Sequence, residues 1–336
     1  MFSDEEQLPL SIPKKDFSHY IKIPSSKDLP ITSIKKSIFF YGFPNDEGKY
    51  NIGGRVGSEK GPFSFRKGLQ DHDFNTFKNI DSISIRDEGN APNHILLENS
   101  LWETHKASQM KIQELLSLKN SMVFVIGGSN DMTYSNYKGL TNAFPAKSIG
   151  LININAHLNV REDKTNKFCS NSVFRMITQE DSFKNSNNSF VYHFAIQGAQ
   201  NTLNDFTYAE NNKGKIIFLD KHIRRFTINR THPEFSTQAG QYFDSVIKEL
   251  SSKVDVIMVS FDLDSIDSCF CPGVCTPSVI GGLSDVEAEE IFMIIGRNEK
   301  VILVDMAEFN PAVENIRTKK LVVTLFYTFC KAVSER

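Results

Sequence analysis

The sequence has one Trp, eight His and five Cys in 336 residues. It also lacks a surplus of charge: 38 Lys and Arg face 40 Asp and Glu, a formal net of −2. A balance so near zero gives no electrostatic footing for a polyanion, so nucleic acid is not an expected partner. No stretch reaches the ~18 apolar residues of a membrane-spanning helix. Residues 1–30 are polar, with no apolar leader segment, so no membrane association is expected. Without a leader, Cys169, Cys269, Cys271, Cys275 and Cys330 are expected to be reduced thiols of a cytoplasmic protein. Three of them, Cys269, Cys271 and Cys275, lie close together but have no nearby His or fourth Cys to complete a zinc tetrahedron. Gly53-Gly54-Arg55-Val56-Gly57 lacks the Gly-Lys-Ser/Thr of a phosphate-binding loop and reads as a turn.

What is present is a globular chain, 40% hydrophobic and 23% charged. After an extension over residues 1–35, seven short apolar runs recur. They are Ser37–Phe43, Met122–Gly127, Ile149–Asn155, Phe190–Ile196, Lys215–Leu219, Asp255–Leu263 and Val301–Met306. They are apolar almost throughout rather than alternating, which predicts strands buried on both faces of a parallel sheet. Helical patterns separate them. Ile95–Leu118 carries Leu97, Leu101, Ala107, Met110 and Leu115 on a helical period. Tyr242, Phe243, Val246, Ile247 and Leu250 form a second stripe, and Leu321, Val322, Leu325, Phe326, Phe329 and Cys330 a third. Ser284 with Glu287 reads as a capping box. Alternating strands and helices without an internal linker predict one αβα domain over residues 36–336. His105 and His193 read as ordinary packed or surface residues.

Polar clusters stand where four predicted strands end. They are Gly127-Gly128-Ser129-Asn130-Asp131, Asn155-Ala156-His157-Leu158-Asn159, Ser260-Phe261-Asp262-Leu263-Asp264 and Met306-Ala307-Glu308. In such folds the chemistry sits beyond the carboxyl ends of the strands. Asp262 and Asp264, two apart on an extended strand, point to one face. Two covered carboxylates repel each other unless a cation or a shared proton compensates. A hard metal ion with oxygen and imidazole ligands would do so; loop-edge carboxylates in solvent are the plainer alternative.

In order, these segments resemble the ureohydrolase family (arginase, agmatinase, formiminoglutamase). The family motifs Gly-Gly-x-His, Asp-Ala-His-x-Asp and Ser-x-Asp-x-Asp-x-x-Asp match Gly127–Asn130, Asn155–Asn159 and Ser260–Asp267 here. Asn45-Asp46-Glu47-Gly48, Gly53–Gly57, Gly61-Pro62, Pro272-Gly273, Gly281-Gly282-Leu283 and the Glu308 segment also match. The resemblance spans roughly residues 37–330. The Asn45–Gly48 turn and Cys169-Ser170-Asn171-Ser172-Val173-Phe174-Arg175 are most similar to formiminoglutamase. The resemblance implies a three-layer αβα sandwich around an eight-stranded, mostly parallel sheet, trimers or hexamers, and six ligands for two Mn²⁺ ions. It further implies that Glu308 meets the amidine-like end of a substrate and that Asn171, Ser172 and Arg175 meet its carboxylate end.

Three of the six ligand positions are Asn: Asn130 in place of His, Asn155 and Asn159 in place of Asp. His157, Asp262 and Asp264 remain. By the family pattern one ion loses three of its four ligands, and the other keeps three. Two carboxylates balance one divalent ion, not two, so at most one weakly held ion is expected. Hydrolysis in the family needs water activated between two metals. The expectation is a catalytically weak or inactive relative that retains a pocket for a guanidino or formimino amino acid; the alternative is an active hydrolase of linear amidines using one or two metals. The single-zinc deacetylases of the same superfamily use an acid/base His pair that this chain does not show.

Overall fold

The seven apolar runs all become strands; six are buried almost throughout, and the seventh, from Lys215–Leu219, is only partly covered at the sheet edge. The computed structural model describes residues 17–22, 35–71, 74–93, 100–162, 167–278 and 281–336. Its strands are β1 (Ile21–Lys22), β2 (Lys36–Phe43), β3 (Ile83–Asn90), β4 (Ser121–Gly127), β5 (Ile149–Ile154), β6 (Phe190–Ile196), β7 (Gly214–Phe218), β8 (Val256–Asp262) and β9 (Val301–Ala307). They form one sheet in the order β1-β3-β2-β4-β9-β8-β5-β6-β7, with all pairs parallel. One core packs Phe40, Phe124 and Phe261 against Phe65, Phe243, Phe292 and Phe326 of the helices on that side. The other packs Phe39, Val123 and Leu151 against Ile112, Leu140 and Phe174. The αβα sandwich is therefore as expected.

The expected count of eight strands is corrected: among the described residues the sheet has nine. β1 comes from the segment read as an extension: Phe17 is buried among Phe77, Phe326 and Tyr327, and Ile21 pairs with Ile85 of β3. β3 itself escaped the sequence reading because it lies near the sheet edge. Ile83 and Ile85 are buried while Ser84 and Arg86 are half-exposed, an alternation unlike the uniformly apolar central runs.

The helix predicted over Ile95–Leu118 is seen as Ser100–Leu116; Ile95 and Leu97 lie outside the described residues. Met110, assigned to its apolar stripe, is 63% exposed. The inward face instead carries Leu101, His105, Ser108, Ile112 and Leu115. His105 earns that place by pairing its Nε2 with Asp131 Oδ2 at 2.8 Å, a polar contact that apolar periodicity cannot register. The stripes of Gln238–Ser251 and Arg317–Ser334 face inward as expected, and Ser284 and Glu287 form the capping box.

His193 on β6 is buried beside Asn153, whose Nδ2 lies 3.1 Å from the imidazole Nδ1. Burial pushes its pKa down to about 3. A depressed imidazole contributes stability that is complete above its unfolded value and is lost as pH falls toward the folded value. Below pH ~6.5 this residue alone should therefore lower stability by up to about 1.4 kcal/mol per pH unit. Thermal melts of His193→Gln across pH 4–7, read against the parent chain, should show a shallower acid slope.

Candidate functional site

The strands β4, β9, β8 and β5 are neighbours, and their carboxyl ends lie side by side. β4 and β5 follow each other in sequence but are separated by β9 and β8 from the far end of the chain. This reversal of strand order is where crevices open in α/β sheets. A cavity of about 230 Å³ lies there, lined by residues that include Asn130, His157, Asn159, Asn171, Asp262 and Glu308. A larger cleft of about 630 Å³ opens near Ser148 and Asp255, at the amino ends of β5 and β8, away from the polar strand ends.

The loop after β4 reaches the crevice because the turn at Asn45–Gly48 packs directly on it. A Cβ on Gly128 would stand 2.0 Å from the Asn45 carbonyl oxygen, so only glycine permits that approach. Within the crevice Asp262 and Asp264 are 2% and 1% exposed. Asp262 Oδ2 accepts hydrogen bonds from Asn155 Nδ2 at 2.8 Å and Asn130 Nδ2 at 3.2 Å. Asp262 Oδ1 accepts from the Asp264 backbone N–H at 2.8 Å, and Asp264 Oδ1 accepts from Thr276 N–H at 3.2 Å. Asn130 and Asn155, two of the three Asn residues that the resemblance sets at ligand positions, thus both donate to Asp262. Asn159, with a left-handed φ of 53°, lines the cavity instead.

Glu308 is fully buried, and its Oε1 accepts the Asn130 backbone N–H at 2.9 Å. Its φ of 70° is unusual for a Glu and costs on the order of 1 kcal/mol or more. The backbone bends there just past β9, at the crevice.

The residue that sequence reasoning missed is Lys49. It sits on the short helix Glu47–Tyr50 after β2, is 5% exposed, and places Nζ 2.8 Å from Glu308 Oε2 and 3.3 Å from Thr276 Oγ1. Burial opposes its charge, but Glu308, Asp264, Cys275 and Asp262 outweigh that and hold the ammonium above its ordinary pKa. The Asp pair moves in the uncharged direction. Burial and Glu308 raise Asp262, and burial and Asp262 raise Asp264. One ammonium among three carboxyl groups leaves proton sharing as the remaining way to relieve their repulsion.

His157 lines the cavity together with Gln200. Burial, then Lys49 and Arg161, push its pKa down to about 4, so it is a neutral imidazole at pH 7. Among the described residues no three His, Cys, Asp or Glu side chains group as ligands of one ion, the trio His157, Asp262 and Asp264 included. Of the residues assigned to the substrate's carboxylate end, Asn171 lines the cavity. Ser172 is buried and donates Oγ to the Cys169 carbonyl at 3.1 Å. Arg175 donates Nε to the Val160 carbonyl at 2.8 Å and lays its guanidinium 3.7 Å from the Tyr208 ring centroid. Neither is among the residues lining the cavity. Arg175 lies on the helix Val173–Gln179, and that helix carries it to the Val160 segment. None of the five cysteines is in a disulfide, and of them Cys269 alone is exposed.

The profile of the arginase family matches residues 36–331. This chain belongs to the arginase family. A formimidoylglutamase of Staphylococcus carnosus is 29% identical over 320 residues, covering 94% of this chain and 93% of its own length. The crystal structure of Trypanosoma cruzi formiminoglutamase with Mn²⁺ superimposes with a TM-score of 0.76 at 28% identity, covering 91% of this chain and 97% of that one. Formimidoylglutamase from Bacillus subtilis shares the fold, with a TM-score of 0.79 at 18% identity, over 99% of this chain and 96% of its own. The arginase-family chain is thus similar to formimidoylglutamase-type hydrolases over nearly its whole length. No helix among the described residues is long and apolar enough to cross a membrane.

Proposed function

We propose that this arginase-family chain is a catalytically weak or inactive relative of the formiminoglutamases that retains a pocket for a guanidino or formimino amino acid. One observation supports this above the others. The carboxylate that would bind an ion, Asp262, is already hydrogen-bonded by the amide N–H groups of Asn130 and Asn155. An ion at Asp262 Oδ2 would need lone pairs facing it, and these positions face it with protons. The residues present therefore do not fit the family's Mn²⁺ pair, and no hydrolytic step is assigned to one. The imidazole of His157, with a pKa near 4, is a weak base for activating water.

The pocket itself has room and polar groups. Asn171 and Arg161 stand at its wall and suit the carboxylate end of an amino acid. The amidine-like end would compete with Lys49 for Glu308, which weakens that contact without closing the cavity.

The full chain should release neither urea, formamide nor ammonia from a panel of formimino and guanidino amino acids with Mn²⁺ added. The same panel should include a ligand that raises its melting temperature. Turnover at rates comparable to the hydrolytic relatives would overturn the reading in favour of an active linear-amidine hydrolase. Silence in both assays would remove the pocket.

A further inference from the structure

We infer that the Lys49 ammonium is the resident cation of this centre, a covalently tethered substitute for the ions of metal-loaded relatives. The inference goes beyond the proposed loss of ligands, because it names what holds the carboxylates together, and it does not depend on which amino acid the pocket takes.

Three observations carry it. The ammonium is delivered from a different part of the fold to the same carboxyl cluster. Lys49 belongs to the turn after β2, yet its Nζ reaches Glu308, beyond β9, at 2.8 Å. Next, the path of its stem is built into the fold. A Cβ on Gly54 would stand 2.4 Å from Lys49 Cδ and 2.7 Å from Cγ, so the side chain at 54 must be absent for the stem to pass. Lastly, the remaining donors complete the arrangement. Asn130 and Asn155 give N–H groups to Asp262, and Thr276 gives its N–H to Asp264. Buried carboxylates are stable when paired and hydrogen-bonded, and here both conditions are met by the chain itself. A divalent ion entering this space would meet a fixed positive charge and amide protons.

The test compares the full parent chain with Lys49→Met, each stripped with chelator and then titrated with MnCl₂. The readouts are bound metal per chain by plasma emission and melting temperature. The parent chain should hold no stoichiometric Mn²⁺ and show no saturable change in melting temperature at about 1 mM metal. Lys49→Met should melt lower when metal-free and recover by roughly two degrees or more with Mn²⁺, because an ion that binds only the folded state stabilises it. Should that variant fail to fold, Lys49→Met combined with Glu308→Gln removes the ammonium with its nearest partner and is read the same way. A metal-free parent together with a folded Lys49 variant that gains no metal response overturns the inference and leaves the proposed function standing. A parent chain that holds stoichiometric Mn²⁺ overturns both.

Discussion

A chain carrying Asn130→His, Asn155→Asp, Asn159→Asp and Lys49→Met is expected to bind two Mn²⁺ ions, whereas the three Asn replacements without Lys49→Met should bind markedly less. The three replacements supply the ligand types that the resemblance implies at these positions. They do not remove the ammonium that already pairs with Glu308 at 2.8 Å. With Lys49 kept, the second ion must enter beside a buried positive charge. The penalty for such a like-charge contact runs to several kcal/mol in a poorly solvated site. The fourth change should therefore raise metal affinity by about 100-fold or more, since 1.4 kcal/mol is tenfold. Calorimetric titration and metal counting on both variants check this. Equal affinity in the two would mean that Lys49 does not obstruct the site. A folded quadruple variant that binds no Mn²⁺ would mean that these positions do not match the family's ligands.

Glu308→Ala should be among the most destabilising single changes in the protein. It strips the buried Lys49 ammonium of its 2.8 Å partner and the Asn130 N–H of its acceptor. Removing one member of a buried ion pair costs about 3–5 kcal/mol, because the other charge stays buried. In a chain of this size that lowers the melting temperature by about 4–7 °C. Lys49→Met should cost less, because carboxyl groups can take up protons where an ammonium cannot escape its charge at neutral pH. The sign of its pH dependence follows. Asp262 and Asp264 have folded-state pKa values raised above their unfolded ones. Their contribution is complete below the unfolded value and is lost as pH rises through the folded value. Without Lys49 that loss deepens, so the gap between Lys49→Met and the parent should narrow as pH falls. Melts of Glu308→Ala, Lys49→Met and the double variant across pH 5–8 test all of this. A double variant more stable than Glu308→Ala would show that the unpaired ammonium causes most of the loss.

The fold was readable because its signal is local and repeated. Apolar runs such as Met122–Gly127 and Val301–Met306 must be covered on both faces, and the helical stripes between them supply the cover. Elements that mix burial with exposure were harder. β3 alternates, β1 has two residues, and His105 sits on an inward helix face by virtue of Asp131. The candidate site was readable to the same degree. Asn130, Asp262 and Glu308 announced themselves by standing at strand ends, and all three meet in the crevice. Ser172 and Arg175 shared a segment with Asn171 but not its direction, because the helix that begins at Val173 turns Arg175 toward Val160.

By itself the sequence determined the αβα class and the family, and it led to the expectation that Asn stands at three ligand positions, since each is written in residue type and order along the chain. Only the tertiary structure decided which side chains face one another in the crevice. Whether an Asn amide faces a carboxylate or an ion depends on side-chain orientation. Whether Lys49 lies in solvent or against Glu308 depends on a contact across 259 residues of chain. Such a contact leaves no periodic trace. It exists because β2 and β9 flank β4 in the sheet, which brings a lysine from one turn to a glutamate from the other in a cavity where neither charge can be left alone.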